Sequence, residues 1–413
     1  MSAPKCETSL EIQEVDGWDS NPANPRNWTS WRKFLIIFFI SFVEFLTPLA
    51  SMMYAPSIPS VLASLHTHDK TLATLSISIY VLGFIVGPLI FAPLSERYGR
   101  LIVYRFCIIF FLIFTVGCAL ATNLHMLVAF RFLAGCVGAA PIAIGGAMVA
   151  DLVVEEQLGK AMAGYTIGPI LGPLVGPVVG GVVTQAVGWR WLFWIVAIFV
   201  SHSLRFFTFV KRTRLIVQKS GACAVCAFMF LQETHQPTLL QRRVSRSDEA
   251  NQKVHPPHIS HPKEKLGESL VKTWLHPLKI LFSSPAVFAL YVFAACLIGY
   301  CNIIYTTLGT VFQNQYHFSS RNAGLAYLSS STGSLLCLAV FSTASDRFVK
   351  HLTGKHKKRS PIFRLPPILI GIPMASGGLC WYGWTIEKHS FWLVPLAGLF
   401  VVGFGMSGTL ENL

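Results

Sequence analysis

Two ionisable side chains stand inside long apolar segments of this sequence, and their chemistry is that of proton transfer. Glu44 lies midway along the segment 34–55, and Arg131 lies in the segment 124–149. Each costs about 3 kcal/mol to place within a bilayer, so both are candidate functional groups. A buried carboxylate can take up a proton from one side of a membrane and release it to the other, and a nearby arginine favours release. The alternative for Glu44 is a structural acid bonded to a neighbouring helix.

The composition predicts apolar helices that can hold these two residues in lipid. Of 413 residues, 53% are hydrophobic and 13% charged, and the mean hydropathy is +0.55. These values are too apolar for a globular enzyme, and we find neither a phosphate-binding loop nor a nucleophile–base pair. Apolar segments of about twenty residues, long enough to cross a bilayer as helices, recur along the chain. We predict ten spans: 34–55, 73–93, 101–121, 124–149, 161–184, 191–210, 285–312, 322–342, 365–386 and 391–413.

The distribution of charge predicts the topology. A net charge of +14 would suggest nucleic acid for a soluble protein, but here the basic residues concentrate before the first span and after the second, sixth and eighth. By the positive-inside rule this places the N terminus in the cytoplasm, so we expect contact with the lipid bilayer and no nucleic acid. The linker 232–284 separates six spans from four and is predicted to be disordered. Its His255, His258 and His261 fit a mobile linker better than a metal site, and we predict neither metal nor cofactor.

A glycine- and proline-rich run occupies residues 159–181, within the fifth span. Glycine recurs every four residues from Gly164 to Gly180, with prolines in between. In a soluble helix each glycine would cost about 1 kcal/mol and each proline about 3 relative to alanine. In lipid such a helix persists with kinks, and glycines four apart let another helix approach to backbone contact. The alternative is an ordinary packing helix without a special role.

The run resembles the fifth-helix antiporter motif of the major facilitator superfamily. The fixed positions of that motif are filled by Gly159, Gly168, Gly172, Pro173, Gly176, Pro177, Gly180 and Gly181. In the family this motif accompanies export by exchange. The segment around Arg131 is similar to the family's fourth-helix motif LxxxRxxxG, whose arginine is linked to proton transfer. No family motif demands an acid at Glu44, so its role in proton coupling is a hypothesis from the residue alone.

The loop between the second and third spans resembles a second signature of the family, GxLaDrxGrk. The matching residues are Leu94, Glu96, Arg97, Gly99 and Arg100, with Ala92 in place of the first glycine. An acid here can cap the next helix or pair with an arginine of a neighbouring span, which would latch the cytoplasmic side. The alternative is an ordinary basic loop. After the eighth span, Asp346 and Arg347 form a fainter copy, which favours two parallel halves.

Further matches narrow the resemblance to fungal drug:proton antiporters. They include the tail 15–33, Tyr54-Ala-Pro56 after the first span and Gly188-Trp-Arg-Trp191 before the sixth. The resemblance implies an all-α membrane protein of the major facilitator fold, with two pseudo-symmetric helical bundles. It also implies a proton-coupled antiporter that exports drugs or secondary metabolites by alternating access. We expect a monomer in the plasma membrane, with the vacuolar membrane as the alternative.

The implied cargo is a small hydrophobic or amphipathic compound, and it needs a large cavity with aromatic walls and a few polar anchors. Candidate lining residues are Tyr80, Tyr300, Asn302 and Tyr305. The alternative for each of these side chains is packing between helices. Asp151, at the end of the fourth span, is expected to order the loop that leads into the antiporter helix.

Two departures from the family qualify this interpretation. The stretch 200–222 carries basic residues that suit no lipid-facing helix, so we expect a gene-model error there or a basic extension on the membrane surface. The chain stops at Leu413, so the last two spans of the fold are expected to be missing. Alternatives to export are a nutrient facilitator of the same fold and an inactive truncated pseudo-transporter. The predicted domains are a tail at 1–33, a six-helix bundle at 34–231, the linker at 232–284 and an incomplete second bundle at 285–413.

Overall fold

The computed structural model describes residues 24–67, 69–212, 279, 282, 285–337 and 366–410. Within these ranges the chain is helical and contains no strand. The helices are α1 Ser30–Met52, α2 Ile58–Ser64, α3 Lys70–Tyr98, α4 Arg100–Ala119, α5 Leu124–Gly138, α6 Ala140–Leu152, α7 Glu155–Val187, α8 Arg190–Arg212, α9 Pro285–Gln315, α10 320–337, α11 Pro366–Glu387 and α12 Leu393–Leu410. Short 3₁₀ turns occupy Pro25–Asn27 and Ala55–Ser57.

Helices lie at each of the ten predicted membrane segments. Some of these helices are long and apolar enough to cross a bilayer. In the described part of the chain these are Ser30–Ser64, Thr71–Tyr98, Arg100–Ala119, Leu124–Leu152, Gln157–Val187 and Tyr291–Gln315. The apolar portions Arg190–Ser203 and Leu393–Ser407 are shorter. Several long apolar helices in succession make the chain a multi-pass membrane protein.

The first membrane segment extends past its predicted end at residue 55 to Ser64, and both it and the fourth segment are interrupted. The first divides into α1 and α2 at the turn Ala55–Ser57, where Pro56 has no N–H to continue a helical hydrogen-bond ladder. The fourth divides into α5 and α6 at Ala139, next to Pro141. Each break leaves carbonyl groups at a helix end without an intrahelical donor. Such carbonyls are available to side chains of other helices.

The ends of the long helices follow from local sequence. The side chain of Asp69 accepts a hydrogen bond from the Leu72 N–H (2.9 Å) at the start of α3. Asn123 does the same for Met126 (2.8 Å) at the start of α5. Gly99 and Gly188 join α3 to α4 and α7 to α8 with φ angles of 98° and 93°, a conformation that favours glycine. These tight junctions place consecutive long helices side by side.

The buried side chains form two clusters. One joins α1 to α4, α6, α7 and α8, with Ile40 and Tyr104 among its fully buried members. The other extends from Tyr54 and Phe193 of the first six spans to Leu308 and Tyr327 of α9 and α10. The second cluster therefore connects the two halves of the chain.

Several sequence predictions concern residues outside the described part. Helix α8 continues to Arg212, and residues 213–222 of the anomalous stretch lie beyond it. The fainter signature at Asp346 and Arg347 is also outside, as is most of the linker 232–284 with its three histidines. The proposed gene-model error and the second copy of the loop signature stay predictions.

Candidate functional site

Arg131 is buried in the first bundle with 1% of its surface exposed. Its guanidinium donates to three backbone carbonyls, those of Ala50 (2.7 Å), Ser51 (3.2 Å) and Ser76 (3.2 Å). Helix α1 ends at Met52, so the first two of these carbonyls belong to its unsatisfied C-terminal turn. The negative end of the helix dipole stabilises the positive charge there. Arg131 therefore closes the end of α1 and ties α5 to α1 and α3.

Aromatic rings enclose the same guanidinium. Its carbon lies 4.7 Å from the ring centre of Tyr54 and 4.6 Å from that of Tyr80, distances typical of cation–π contacts. The Tyr80 hydroxyl donates to the carbonyl of Thr47 at 2.9 Å. Tyr80, a candidate for the substrate cavity, is instead 1% exposed and packs against Arg131.

Glu44 is fully buried within the first bundle. The hydroxyl of Tyr165, on α7, donates a hydrogen bond to its Oε1 atom. Its Oε2 atom has no hydrogen-bond partner among the residues that the structure describes. The Ser41 hydroxyl donates to the carbonyl of Tyr165 at 2.9 Å, a second link between α1 and α7 at this level. The carboxyl group is therefore held at one oxygen and free at the other.

The two ionisable residues do not pair with each other in this conformation. The hydrogen bonds of Arg131 go to carbonyl oxygens, and the Glu44 carboxyl bonds to Tyr165. Ala50 lies six residues beyond Glu44 on α1, which corresponds to about 9 Å along the helix axis. The proximity that would let Arg131 promote proton release is absent here.

The glycine run packs against α1, as its spacing predicts. A Cβ atom at Gly168 would overlap the Ser41 carbonyl, and one at Gly180 would overlap that of Met53. At Gly172 and Gly176 it would lie 2.9 Å from the Phe45 carbonyl and 3.1 Å from the Met52 side chain. Among the residues that the structure describes, none has an atom within 4 Å of such a Cβ at Gly159 or Gly164. The close approach is thus confined to the part of α7 from Gly168 onward.

A second face of α7 meets the other half of the chain. A Cβ atom at Gly181 would overlap the carbonyl of Ser320, and one at Gly324 would overlap that of Pro177. Near this crossing the Gln313 amide donates to the Pro56 carbonyl at 3.0 Å. The two halves therefore meet at the end of the bundle where α7 ends and α10 begins.

The loop signature lies at the opposite end of the first bundle. Arg100 forms an ion pair with Asp151 at 3.3 Å between a guanidinium nitrogen and Oδ2. Glu96 and Arg97 are exposed, whereas Leu94 is half-buried. Glu96, expected to cap a helix or pair with an arginine, forms no hydrogen bond or ion pair with the described residues. The acid that holds a signature arginine is Asp151, from the end of α6.

A small cavity of about 70 Å³ lies between the halves. Pro173 and Leu174 of α7, Tyr305 of α9, Ser331 and Ser334 of α10 and Ser407 of α12 are among its lining residues. Tyr305 was a predicted cavity residue. Tyr300 is 58% exposed and Asn302 bonds to the Ile298 carbonyl of its own helix (2.9 Å), and neither lines this space. Ligand pockets for drug-sized molecules occupy about 300–1,000 Å³, so this cavity is too small for such a molecule in the described conformation.

Sequence reasoning missed two groups at the Glu44 site. Tyr165 stands three residues before Gly168, and Tyr104 lies on α4, with its buried hydroxyl unpaired among the described residues. The spacing of Tyr165 from the glycine face was the available signal, because residues three apart on a helix share a side. No metal-binding group of three His, Cys, Asp or Glu residues occurs in the described ranges.

The sequence is similar to a family of known proteins. The sequence model described as Major Facilitator Superfamily matches residues 40–412. The MFS-type transporter tndD of Aspergillus flavipes is 38% identical over 364 residues, which cover 87% of this chain and 64% of that protein. The efflux pump radE of Floropilus chiversii is 38% identical over 361 residues (87% and 63%). The MFS transporter cpaT of Aspergillus oryzae is 36% identical over 410 residues (98% and 79%). The chain spans slightly less than two thirds of the length of tndD and radE.

Solved structures share the arrangement of helices. The crystal structure of a D-xylose-proton symporter aligns with a TM-score of 0.59 at 15% identity, covering 92% of this chain and 81% of that one. The xylose transporter XylE from E. coli, in a partially occluded inward open conformation, aligns with a TM-score of 0.62 at 15% identity (93% and 84%). At this identity the likeness shows a common fold and nothing about substrate.

Proposed function

The chain belongs to the major facilitator superfamily, a family of membrane transporters rather than enzymes, and we propose that it exports small hydrophobic or amphipathic compounds in exchange for protons. The proposed cargo is a drug or a fungal secondary metabolite. Support comes from the relative radE, which is named an efflux pump, and from the complete antiporter motif on α7. The all-α fold with two pseudo-symmetric bundles is the scaffold for this activity.

The observation that carries the proton coupling is the half-bonded state of Glu44. The side chain is fully buried, Tyr165 donates to one carboxyl oxygen, and the other oxygen has no partner in the described part of the chain. The carboxyl group has a single hydrogen bond with the described residues, so a change in its protonation rearranges one contact, that with Tyr165. Removing a partner from a buried bonded group costs about 1–3 kcal/mol, so a group with few partners changes state at a lower cost.

Alternating access requires two discrete arrangements of the halves. In the described arrangement, α7 meets α10 at Gly181 and Gly324, and Gln313 bonds to Pro56 at the same end. The topology predicted from charge places this end away from the cytoplasm. We propose that these contacts close the outer side, and that their separation releases cargo. Tyr305, which lines the cavity between the halves, is then the best-placed candidate to contact cargo.

The remaining parts of the proposal concern placement. The lobes are residues 34–231 and 285–413, with the tail 1–33 and the linker 232–284 on the cytoplasmic side. The concentration of basic residues in the linker supports this orientation. We propose that the protein is a monomer, because each pair of lobes in this fold encloses its own pathway. We also propose that it resides in the plasma membrane.

The test uses the full 413-residue chain in sealed vesicles, with rhodamine 6G as a hydrophobic probe and pyranine to report protons. An imposed pH gradient should drive dye movement coupled to proton movement, and nigericin, which collapses the gradient, should abolish it. Glu44→Gln should reduce dye movement to the level seen without a gradient. Glu387→Gln, a matched change at an exposed acid, should leave it unchanged.

Two outcomes would contradict the proposal in different ways. Gradient-driven dye movement of wild-type size in Glu44→Gln would exclude Glu44 as the proton site. Wild-type movement that is equal with and without the gradient would exclude exchange against protons altogether.

A further inference from the structure

The hydroxyl of Tyr165 stands between groups on two other helices. It donates to Oε1 of Glu44 on α1, and its oxygen lies 3.3 Å from the backbone carbonyl of Ile142 on α6. Gly145, one turn further along α6, leaves the space that this hydroxyl occupies, because a Cβ there would lie 2.9 Å from the tyrosine oxygen. The hydroxyl therefore has an acceptor on each side, and it has one hydrogen to give.

Protonation of Glu44 changes which acceptor the hydroxyl can use. A carboxylate only accepts, so Tyr165 donates to it. A protonated Glu44 can donate its own O–H to the tyrosine oxygen, and the tyrosine hydrogen is then free to turn to the Ile142 carbonyl. One proton is added to Glu44, none leaves Tyr165, and each hydroxyl hydrogen keeps an acceptor in both arrangements. The change is a reversal of two hydrogen bonds.

From this geometry we propose that Tyr165 is a positioning residue that reports the protonation of Glu44 to α6. The inference rests on the proposed role of Glu44 as the proton site. Ile142 lies just after the break between α5 and α6 at Ala139, and α5 carries Arg131, which closes the end of α1. A new bond at Ile142 thus acts three residues after the break in the fourth span. Proton binding on α1 is thereby linked to the angle between α5 and α6.

The surroundings of Glu44 supply few other titratable groups. Tyr165 faces it from α7, and Tyr104 lies within electrostatic range on α4, with Cys107 beside Tyr104. The Tyr104 hydroxyl is buried and unpaired among the described residues. Tyr104→Phe removes the same atom as Tyr165→Phe without breaking a described hydrogen bond. It is therefore the matched control.

Infrared difference spectra of the full chain in lipid vesicles, recorded over a range of pH, measure the protonation of Glu44 directly. A protonated carboxylic acid has a C=O stretching band. The band that disappears in Glu44→Gln is assigned to Glu44. In Tyr165→Phe the carboxylate loses its donor, so the midpoint of this band should move to higher pH by about one unit, a tenfold change in proton affinity. Tyr104→Phe should leave the midpoint within a small fraction of that shift.

A second measurement leaves Tyr165 intact, in case the phenylalanine variant does not fold. The chain is labelled with isoleucine that carries ¹³C at the carbonyl, and the spectrum of Ile142→Val is subtracted to isolate the Ile142 band. Protonation of Glu44 should shift this band to lower frequency as its carbonyl gains a hydrogen bond. An Ile142 band that does not respond to pH would overturn the proposal.

The outcomes separate the two levels of the argument. A Glu44 band that titrates identically in wild type, Tyr165→Phe and Tyr104→Phe overturns the role of Tyr165 and leaves Glu44 as the proton site. The absence of any titrating band that depends on Glu44 overturns both this inference and the proposed proton site.

Discussion

Arg131 and Glu44 are both buried ionisable residues of the first bundle, yet their partners differ. Arg131 gives hydrogen bonds to three carbonyls on two helices and lies between two tyrosine rings. Within the described part of the chain, the Glu44 carboxyl has one hydrogen bond, from Tyr165, and one oxygen without a partner. The difference lies in the helices around them: α1 ends beside Arg131, whereas it is continuous at Glu44. The last turn of a helix leaves carbonyls without an intrahelical donor, and two of the three acceptors of Arg131, Ala50 and Ser51, lie in that turn of α1.

This contrast suits Arg131 to a fixed structural role (a joint between helices) and Glu44 to the proposed proton response (a switch). Two bonds of Arg131 satisfy carbonyls in the last turn of α1, so the group cannot leave without exposing unsatisfied acceptors there. In the proposed mechanism, Glu44 takes up a proton while its hydrogen bond with Tyr165 reverses direction. A transporter that moves between two arrangements needs both kinds of group, one that keeps the bundle rigid and one that responds to protons.

The largest expected effect is that of Arg131→Met. The variant leaves the carbonyls of Ala50, Ser51 and Ser76 without this donor, at about 1–3 kcal/mol for each atom that stays unsatisfied. We expect a large drop in the melting temperature and in the monodisperse fraction after detergent extraction. Arg131→Lys, which keeps the charge and loses the planar fork, should fall between this variant and wild type. Wild-type melting of Arg131→Met would remove the distinction between joint and switch.

An intermediate effect is expected for Gly145→Ala, which sharpens the comparison at the Glu44 site. The added Cβ would lie 2.9 Å from both the Tyr165 oxygen and the Ile40 side chain, and such overpacking costs about 1–3 kcal/mol. Gly146→Ala is the control, because its nearest neighbour would be the Met162 side chain at 3.6 Å, an ordinary contact. Thermal melting should show a loss for the first variant and none for the second. Equal melting would mean that Tyr165 is not held by α6.

The smallest expected effect on stability is that of Glu44→Gln. The amide oxygen can still accept from Tyr165 and the side chain keeps its size, so we expect a change of less than about 1 kcal/mol. Melting curves recorded beside those of Arg131→Met provide the measurement. A loss as large as that of Arg131→Met would make Glu44 a structural acid, the alternative interpretation from the sequence.

Some of the site was predictable because it depends on local spacing. Glycines four residues apart predict a face that a second helix can approach, and α1 does pack on Gly168, Gly172, Gly176 and Gly180. The same spacing includes Gly164, where an added Cβ would have no described atom within 4 Å, although the Ser41 hydroxyl of α1 lies 3.4 Å from the Gly164 carbonyl oxygen. Periodicity identifies the face, but the length of the contact depends on the relative tilt of two helices.

The sequence did not predict the partners of Tyr80 and Glu96, because these depend on contacts between residues that are distant in the chain. Tyr80 was selected for a cavity from its residue type, yet it packs on Arg131, since an aromatic ring suits either environment. Glu96 was expected to hold an arginine, whereas Asp151 forms that ion pair with Arg100. Both acids lie near the same end of the first bundle, and only the packing of α6 against α4 decides between them.

The sequence by itself determined that this chain is a multi-pass helical membrane protein, which of its charges lie in lipid, and which face of α7 is smooth enough for close packing. These properties follow from hydropathy and from a helical repeat of 3.6 residues, which act over one or two turns. Only the tertiary structure decided the partners of the buried charges. Arg131 meets Ala50 across 81 residues and Tyr165 meets Glu44 across 121. Such pairs depend on where helices end and cross, and hydrogen bonding in lipid satisfies whichever groups that packing brings together.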